Sequence, residues 1–117
     1  MTPTVTLRRI VVSVTSIERA LAVYADALGL EVARRAPGLA WLTSADGVEL
    51  MLHERPATAS DTAVAVGFAT TALDDTVTRW VAAGGAVADP AAPQPWGERM
   101  AVLRDADGHL VCLSESA

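Results

Sequence analysis

The segment Glu49-Leu50-Met51-Leu52-His53 alternates polar or thioether residues with leucines, and that alternation turns every second side chain to one side of a strand. Glu49, Met51 and His53 then share a face. Read as neighbours there, the Glu49 carboxylate and the His53 imidazole are a candidate acid-base pair; the other reading makes them polar groups at a cavity mouth. Arg9 offers a guanidinium to an anion or carbonyl group of a ligand, or to Glu49 itself. Cys112 is the single thiol. It lacks a partner for an internal disulfide or a thiolate zinc cluster, and is expected to be a small buried apolar residue.

Other chemistries find no support. All nine basic residues are Arg, so no lysine exists for Schiff-base chemistry. No Gly-rich phosphate loop, G-x-S-x-G elbow or His-rich metal motif occurs. A net charge of −5 argues against nucleic acid, whose binding needs clustered positive charge. No apolar run approaches a membrane span, and the start of the chain lacks the pattern of a signal peptide. A soluble cytoplasmic protein with reduced cysteine is expected. With 117 residues and 51% hydrophobic content, the chain is sized for one domain with one substantial core.

The elements that must position these residues occur twice. Leu7 to Val14 (LRRIVVSV) reads as a strand, with Thr15 and Ser16 as helix-capping candidates. A helix follows over Ile17 to Leu28, with Ile17, Leu21, Tyr24 and Leu28 as its apolar stripe and Gly29 as its stop. Thr62 to Ala69 (TAVAVGFA) repeats the strand, and Leu73, Val77, Trp80 and Val81 repeat the stripe ahead of Gly84 and Gly85. The pairs Ile17/Leu73, Leu21/Val77, Tyr24/Trp80 and Gly29/Gly85 share one offset, the mark of a duplication. Ala45-Asp46-Gly47 and Ala106-Asp107-Gly108 are matching hairpin turns. Their larger offset places extra residues of the second half in the Pro-rich stretch from Pro90 to Gly97.

Each half therefore reads β-α-β-β-β: module one over residues 1–57 and module two over 58–117, in a single domain, with Arg55 to Asp61 as linker. The class is α+β, with two βαβββ modules forming paired curved sheets around a concave cavity.

A three-residue hairpin loop with Gly left-handed pairs Trp41 with Met51, Val102 with Cys112 and Met100 with Ser114. A two-residue loop would turn Trp41, Met100 and Val102 to the helix side; the three-residue loop is the expected one. The cavity lining is then Arg9, Trp41, Glu49, Met51, His53, Met100, Val102 and Cys112, joined by Trp96 from the Pro95-Trp96-Gly97 loop. Trp41 and Trp96 serve either the cavity or the core, and Met51 and Met100 could simply fill gaps. Tyr24 and Trp80 belong to the core.

The runs SIERALAVYADALGLEV (Ser16 to Val32), ALDDTVTRWVAAGG (Ala72 to Gly85) and PWGERMAVLRDADGHLVCL (Pro95 to Leu113), in this order, resemble the vicinal oxygen chelate superfamily. That superfamily includes glyoxalase I, extradiol dioxygenases, fosfomycin-modifying enzymes and bleomycin-resistance binding proteins. Its enzymes hold a divalent metal with four side chains, usually His, Gln or Glu, from the first and last strand of each module. The resemblance places those positions on Arg9 and Met51 in module one, and on Ala65 and Cys112 in module two. No divalent ion favours such a set.

What the resemblance then implies is a protein without metal or other cofactor, of the drug-binding type. Such a protein sequesters an aromatic antibiotic or related natural product, in the manner of self-resistance proteins. Trp41 and the methionines suit a planar, largely apolar guest, and Arg9 favours a neutral or weakly acidic one. The expected partners are a small aromatic or apolar molecule and a second copy of the chain in a homodimer, some relatives exchanging strands between chains, with neither nucleic acid nor membrane. The alternative is a glyoxalase-like lyase or isomerase of the same fold, using Glu49 and His53 or an unusual metal site.

Overall fold

In the computed structural model, which describes residues 2–61 and 63–116, the chain runs through the same order of elements twice. Module one comprises β1 (Ile10–Val14), α1 (Ile17–Leu21) continuing as a π-helical segment (Ala22–Ala27), β2 (Glu31–Ala36), β3 (Leu39–Thr43) and β4 (Glu49–Glu54). Module two comprises β5 (Val66–Thr70), α2 (Leu73–Ala82), β6 (Ala86–Pro93), β7 (Arg99–Arg104) and β8 (Leu110–Glu115). The sheets have matching orders, β1-β4-β3-β2 and β5-β8-β7-β6, each with its first and last strands parallel. They curve without closing.

Both first strands are shorter than the sequence suggests. β1 starts at Ile10 because its pairing begins with Ile10 opposite Leu50; Val5 and Leu7, before it, are exposed. The expected strand from Thr62 to Ala69 begins at Val66, and its first residue, Thr62, lies outside the described residues. Arg9 and Ala65 consequently sit just ahead of their strands.

Ser16 caps the first helix, its Oγ accepting from the Arg19 amide at 3.2 Å. From Ala22 the helix widens, with the Leu28 amide donating to the Val23 carbonyl at 2.9 Å in the i to i−5 pattern. A π turn takes up one surplus residue in an α-helix, and the two modules show that surplus directly. Gly29 ends the first helix with φ 88°, and the residue in the same left-handed role after α2 is Gly84, φ 108°. Gly84 is thus the partner of Gly29. Gly85, which the constant offset had selected, instead lies flat against the Trp80 indole, where any Cβ would collide.

Alternation along the strands assigns their faces. Ala40, Leu42, Leu50 and Leu52 in module one, and Ala101, Leu103, Val111 and Leu113 in module two, are buried in one hydrophobic cluster with the helices. The helices of the two modules meet at Tyr24 and Trp80, whose rings pack edge to face with centroids 5.7 Å apart. No helix among the described residues is long and apolar enough to cross a membrane.

Candidate functional site

Both hairpins carry the expected three-residue loop. The Gly47 amide donates to the Ser44 carbonyl and the Gly108 amide to the Asp105 carbonyl, both at 3.0 Å, with left-handed Gly47 and Gly108. Trp41 therefore pairs with Met51, Val102 with Cys112, and Met100 with Ser114. The parallel pairings add Val11 beside Met51 and Gly67 beside Cys112. With Leu50, Leu52, Val111 and Leu113 committed to the core, all of these residues share the sheet face opposite the helices. That face is open.

The N-terminal residue of the set is already engaged. Arg9 Nε donates to Glu49 Oε2 at 2.6 Å in a half-buried ion pair, which neutralises both. Glu49 and His53 are not neighbours: Met51 stands between them on β4, and an extended strand separates positions four residues apart by roughly 13 Å. Direct proton exchange between them is out of reach. Trp96 occupies the turn between β6 and β7, exposed, with its indole N–H donating to Glu98 Oε1 at 2.6 Å. The surplus residues of module two lengthen this hairpin, Pro93 pairing with Arg99 ahead of the turn.

Trp41 is unlike its neighbours on the open face. It retains only 9% of its accessible surface, and its Nε1 is buried with no hydrogen-bond partner among the described residues. Over the ring lies the Arg34 guanidinium, 3.9 Å from the centroid. A β-bulge causes this contact. The register of β2 on β3 slips between Val32 and Arg34, so that Arg34 faces Trp41 and Arg35 faces Ala40. Arg35 accordingly reaches Glu18 on the helix, at 2.8 Å. Module two has a bulge at the equivalent place, between Val87 and Asp89, which sets Asp89 opposite Val102.

Two clefts lie along the seam between β1 and β5, and Ile10 and Val66 line both. The first, of about 370 Å³, is bounded by β1, Tyr24, the linker from Pro56 to Ser60 and the start of β8. The second, of about 740 Å³, lies between the end of the first helix, the β3–β4 turn and β5. None of the nine residues expected to bind ligand lines either cleft, although Val11, Gly67 and Ser114 of the open face do.

Polar contacts across the seam join the modules. Tyr24 Oη donates to Asp105 Oδ2 at 2.7 Å in the buried interior, and Asp105 Oδ1 accepts from the Asp107 and His109 amides at 2.9 Å. Burial, then the Asp105 charge, raises the Tyr24 pKa well above the phenol range. His109 Nε2 lies 2.7 Å from the Ser13 carbonyl while its Nδ1 accepts from the Ser60 amide at 3.2 Å, so Nε2 carries the proton. Sequence reasoning missed Arg34, His109 and Asp105. The paired Asp-Gly turns gave a signal for Asp105 alone, as the residue opening the second turn.

The chemistry of the four positions that hold metal in related enzymes does not fit a divalent ion. Arg9 is paired with Glu49, Ala65 has no donor atom, and Met51 and Cys112 supply only sulfur. Among the described residues no three His, Cys, Asp or Glu side chains gather as a metal site.

Paired βαβββ modules, joined by their helices and carrying matched open sheet faces, define the class of protein. The family model described as the Glyoxalase/Bleomycin resistance protein/Dioxygenase superfamily matches residues 6–113, and the chain belongs to that superfamily. Among solved structures of the same fold is a glyoxalase/bleomycin resistance protein/dioxygenase family enzyme from Burkholderia phytofirmans PsJN, with TM-score 0.82, 14% identity and coverage of 97% of this chain and 100% of that one. A glyoxalase-related enzyme from Fulvimarina pelagi matches with TM-score 0.76 and 21% identity, covering 92% and 86%. TioX from Micromonospora sp. ML1 matches with TM-score 0.67 and 24% identity, covering 93% and 98%. No curated protein matches the chain.

Proposed function

We propose that this protein is a metal-independent small-molecule binding protein of the cytoplasm, which sequesters an aromatic antibiotic or related natural product without altering it. The observation that carries the reading is the donor set at the superfamily's metal positions. Arg9, Met51, Ala65 and Cys112 offer no oxygen or imidazole ligand, and the one cation among them is held by Glu49. Beside the polar Arg34, His53 and Ser114, the open face carries Trp41, Met51, Val11, Met100, Val102 and Cys112, ring, sulfur and aliphatic groups suited to stacking on a flat guest. The separation of Glu49 from His53 leaves the lyase or isomerase alternative without its acid-base pair.

The test is equilibrium binding to a panel of aromatic natural products, with bound ligand recovered and weighed by mass spectrometry. The expected result is stoichiometric binding with unchanged ligand mass, insensitive to prior treatment with a chelator. Chemically altered ligand, or a stoichiometric divalent ion in the purified protein, overturns it.

On the same reading the protein is a homodimer, a second copy closing over the open sheet faces to make an enclosed site. A single monomeric species by light scattering at micromolar concentration would refute that.

A further inference from the structure

We infer that Arg34 and the Trp41 indole N–H form an acceptor-binding pair, which selects planar aromatic guests bearing a carboxylate or phenolate at one end. This assignment rests on the open face being the binding surface, as proposed above. It names the chemistry of the guest.

A buried N–H without a partner costs about 1–3 kcal/mol, so an indole is a poor choice for a position that only needs to be filled. Trp41 Nε1 is such an atom, and the side chain around it is nine-tenths buried. The only charged group over the ring is Arg34, and it has no carboxylate partner among the described residues, whereas Arg9 and Arg35 are both paired. An orphan donor and a cation without a carboxylate partner thus belong to one contact, the guanidinium carbon lying 3.9 Å from the centroid of the ring that carries the N–H. One anionic oxygen group would satisfy both.

The surroundings set the shape of the rest of the guest. Register places Arg34, Trp41, Met51 and Val11 in one row across β2, β3, β4 and β1. Three strand spacings make this row about 14 Å long, comparable to two or three fused rings. It runs from cation through flat aromatic and thioether to aliphatic. The equivalent row of module two is Asp89, Val102, Cys112 and Gly67, with an anion where Arg34 stands and no aromatic ring. The selection therefore belongs to module one. Arg9 contributes little to it, since Glu49 already satisfies it.

The experiment compares anthracene-2-carboxylate with its methyl ester by isothermal titration calorimetry, on the wild-type protein and on the Arg34→Gln and Trp41→Phe variants. A hydrogen bond to a charged group contributes about 1.5–3 kcal/mol, so the acid should bind wild type at least about tenfold more tightly than the ester. Each variant should reduce that gap to about threefold or less, whatever it does to the affinity for the ester. Equal binding of acid and ester by wild type, or a gap that survives either substitution, overturns the assignment while leaving aromatic binding intact. Failure of both probes to bind overturns the assignment together with the reading it rests on. The wild-type comparison decides even if a variant fails to fold.

Discussion

The Tyr24 hydroxyl of the first module's helix donates to Asp105 at the β7–β8 turn of the second, at 2.7 Å and out of contact with solvent. The bond ties together the two copies of a duplication at a point where neither copy alone could complete it. Asp105 retains two amide donors if the phenol is removed, so Tyr24→Phe should fold. We expect it to lose about 1.5–3 kcal/mol in urea denaturation, the contribution of a hydrogen bond to a carboxylate.

The same pair predicts an alkaline transition. The folded protein holds the Tyr24 proton more tightly than the unfolded chain does, because burial and then Asp105 raise its pKa. The stabilisation is therefore complete below about pH 10, the value of a free phenol, and is lost as pH rises through the folded value. With no lysine and one tyrosine in the chain, few side chains titrate in this alkaline range. Stability measured from about pH 9 upward should fall more steeply for wild type than for Tyr24→Phe; parallel curves would contradict the assignment.

Gly85→Ala should destabilise although it falls outside every helix and at an ordinary φ. The added methyl would enter the Trp80 indole, which is fully buried and donates its N–H to the Arg104 carbonyl at 2.8 Å. Overpacking of a rigid neighbour costs about 1–3 kcal/mol, and displacement of the indole would add the lost hydrogen bond. A lowered thermal midpoint is the expected result; an unchanged one would mean the backbone yields freely there.

Two tryptophans should respond to very different degrees to loss of their N–H. Trp80→Phe removes a satisfied donor and leaves a void in the core, for a cost of about 2–4 kcal/mol. Trp41→Phe also trims a buried ring, but it ends the cost of a donor with no partner among the described residues, and with these offsetting, its stability should stay within about 1 kcal/mol of wild type. Chemical denaturation of both variants separates these outcomes, and a large loss at Trp41 would indicate a partner not accounted for.

His109 holds the linker over the smaller cleft through the Ser60 amide while binding β1 through the Ser13 carbonyl. Without the ring, Ser60 loses its acceptor, and the Leu110 amide, which donates to Ser60 Oγ at 2.9 Å, loses a fixed partner. In His109→Ala these two amides should exchange hydrogen about tenfold faster or more, with core amides such as Leu52 little changed. Unaltered exchange at Ser60 would remove the linker contact from the account.

Periodicity made most of the architecture legible. The Asp-Gly turns fixed the hairpin register, which placed Trp41 beside Met51 and Val102 beside Cys112, and the apolar alternation of β4 assigned its faces. What escaped was whatever depends on a single inserted residue. The π turn in the first helix shifts the offset between modules after Tyr24, and the bulge beyond Val32 turns Arg34 from the helix side to the open side. Neither leaves a compositional mark, since both are settled by which pairing buries more surface once the sheet has formed. Reading Glu49 and His53 as neighbours failed for a simpler reason: a shared face does not imply proximity along a fully extended chain.

The twin bulges, with Arg34 at one and Asp89 at the other, give the matched open faces of this duplicated scaffold a charge polarity. Two identical halves would present any visitor with two equivalent ways to lie across them. Opposite charges at corresponding corners remove that degeneracy, so under the binding role proposed above an elongated guest with unlike ends would have a single preferred heading.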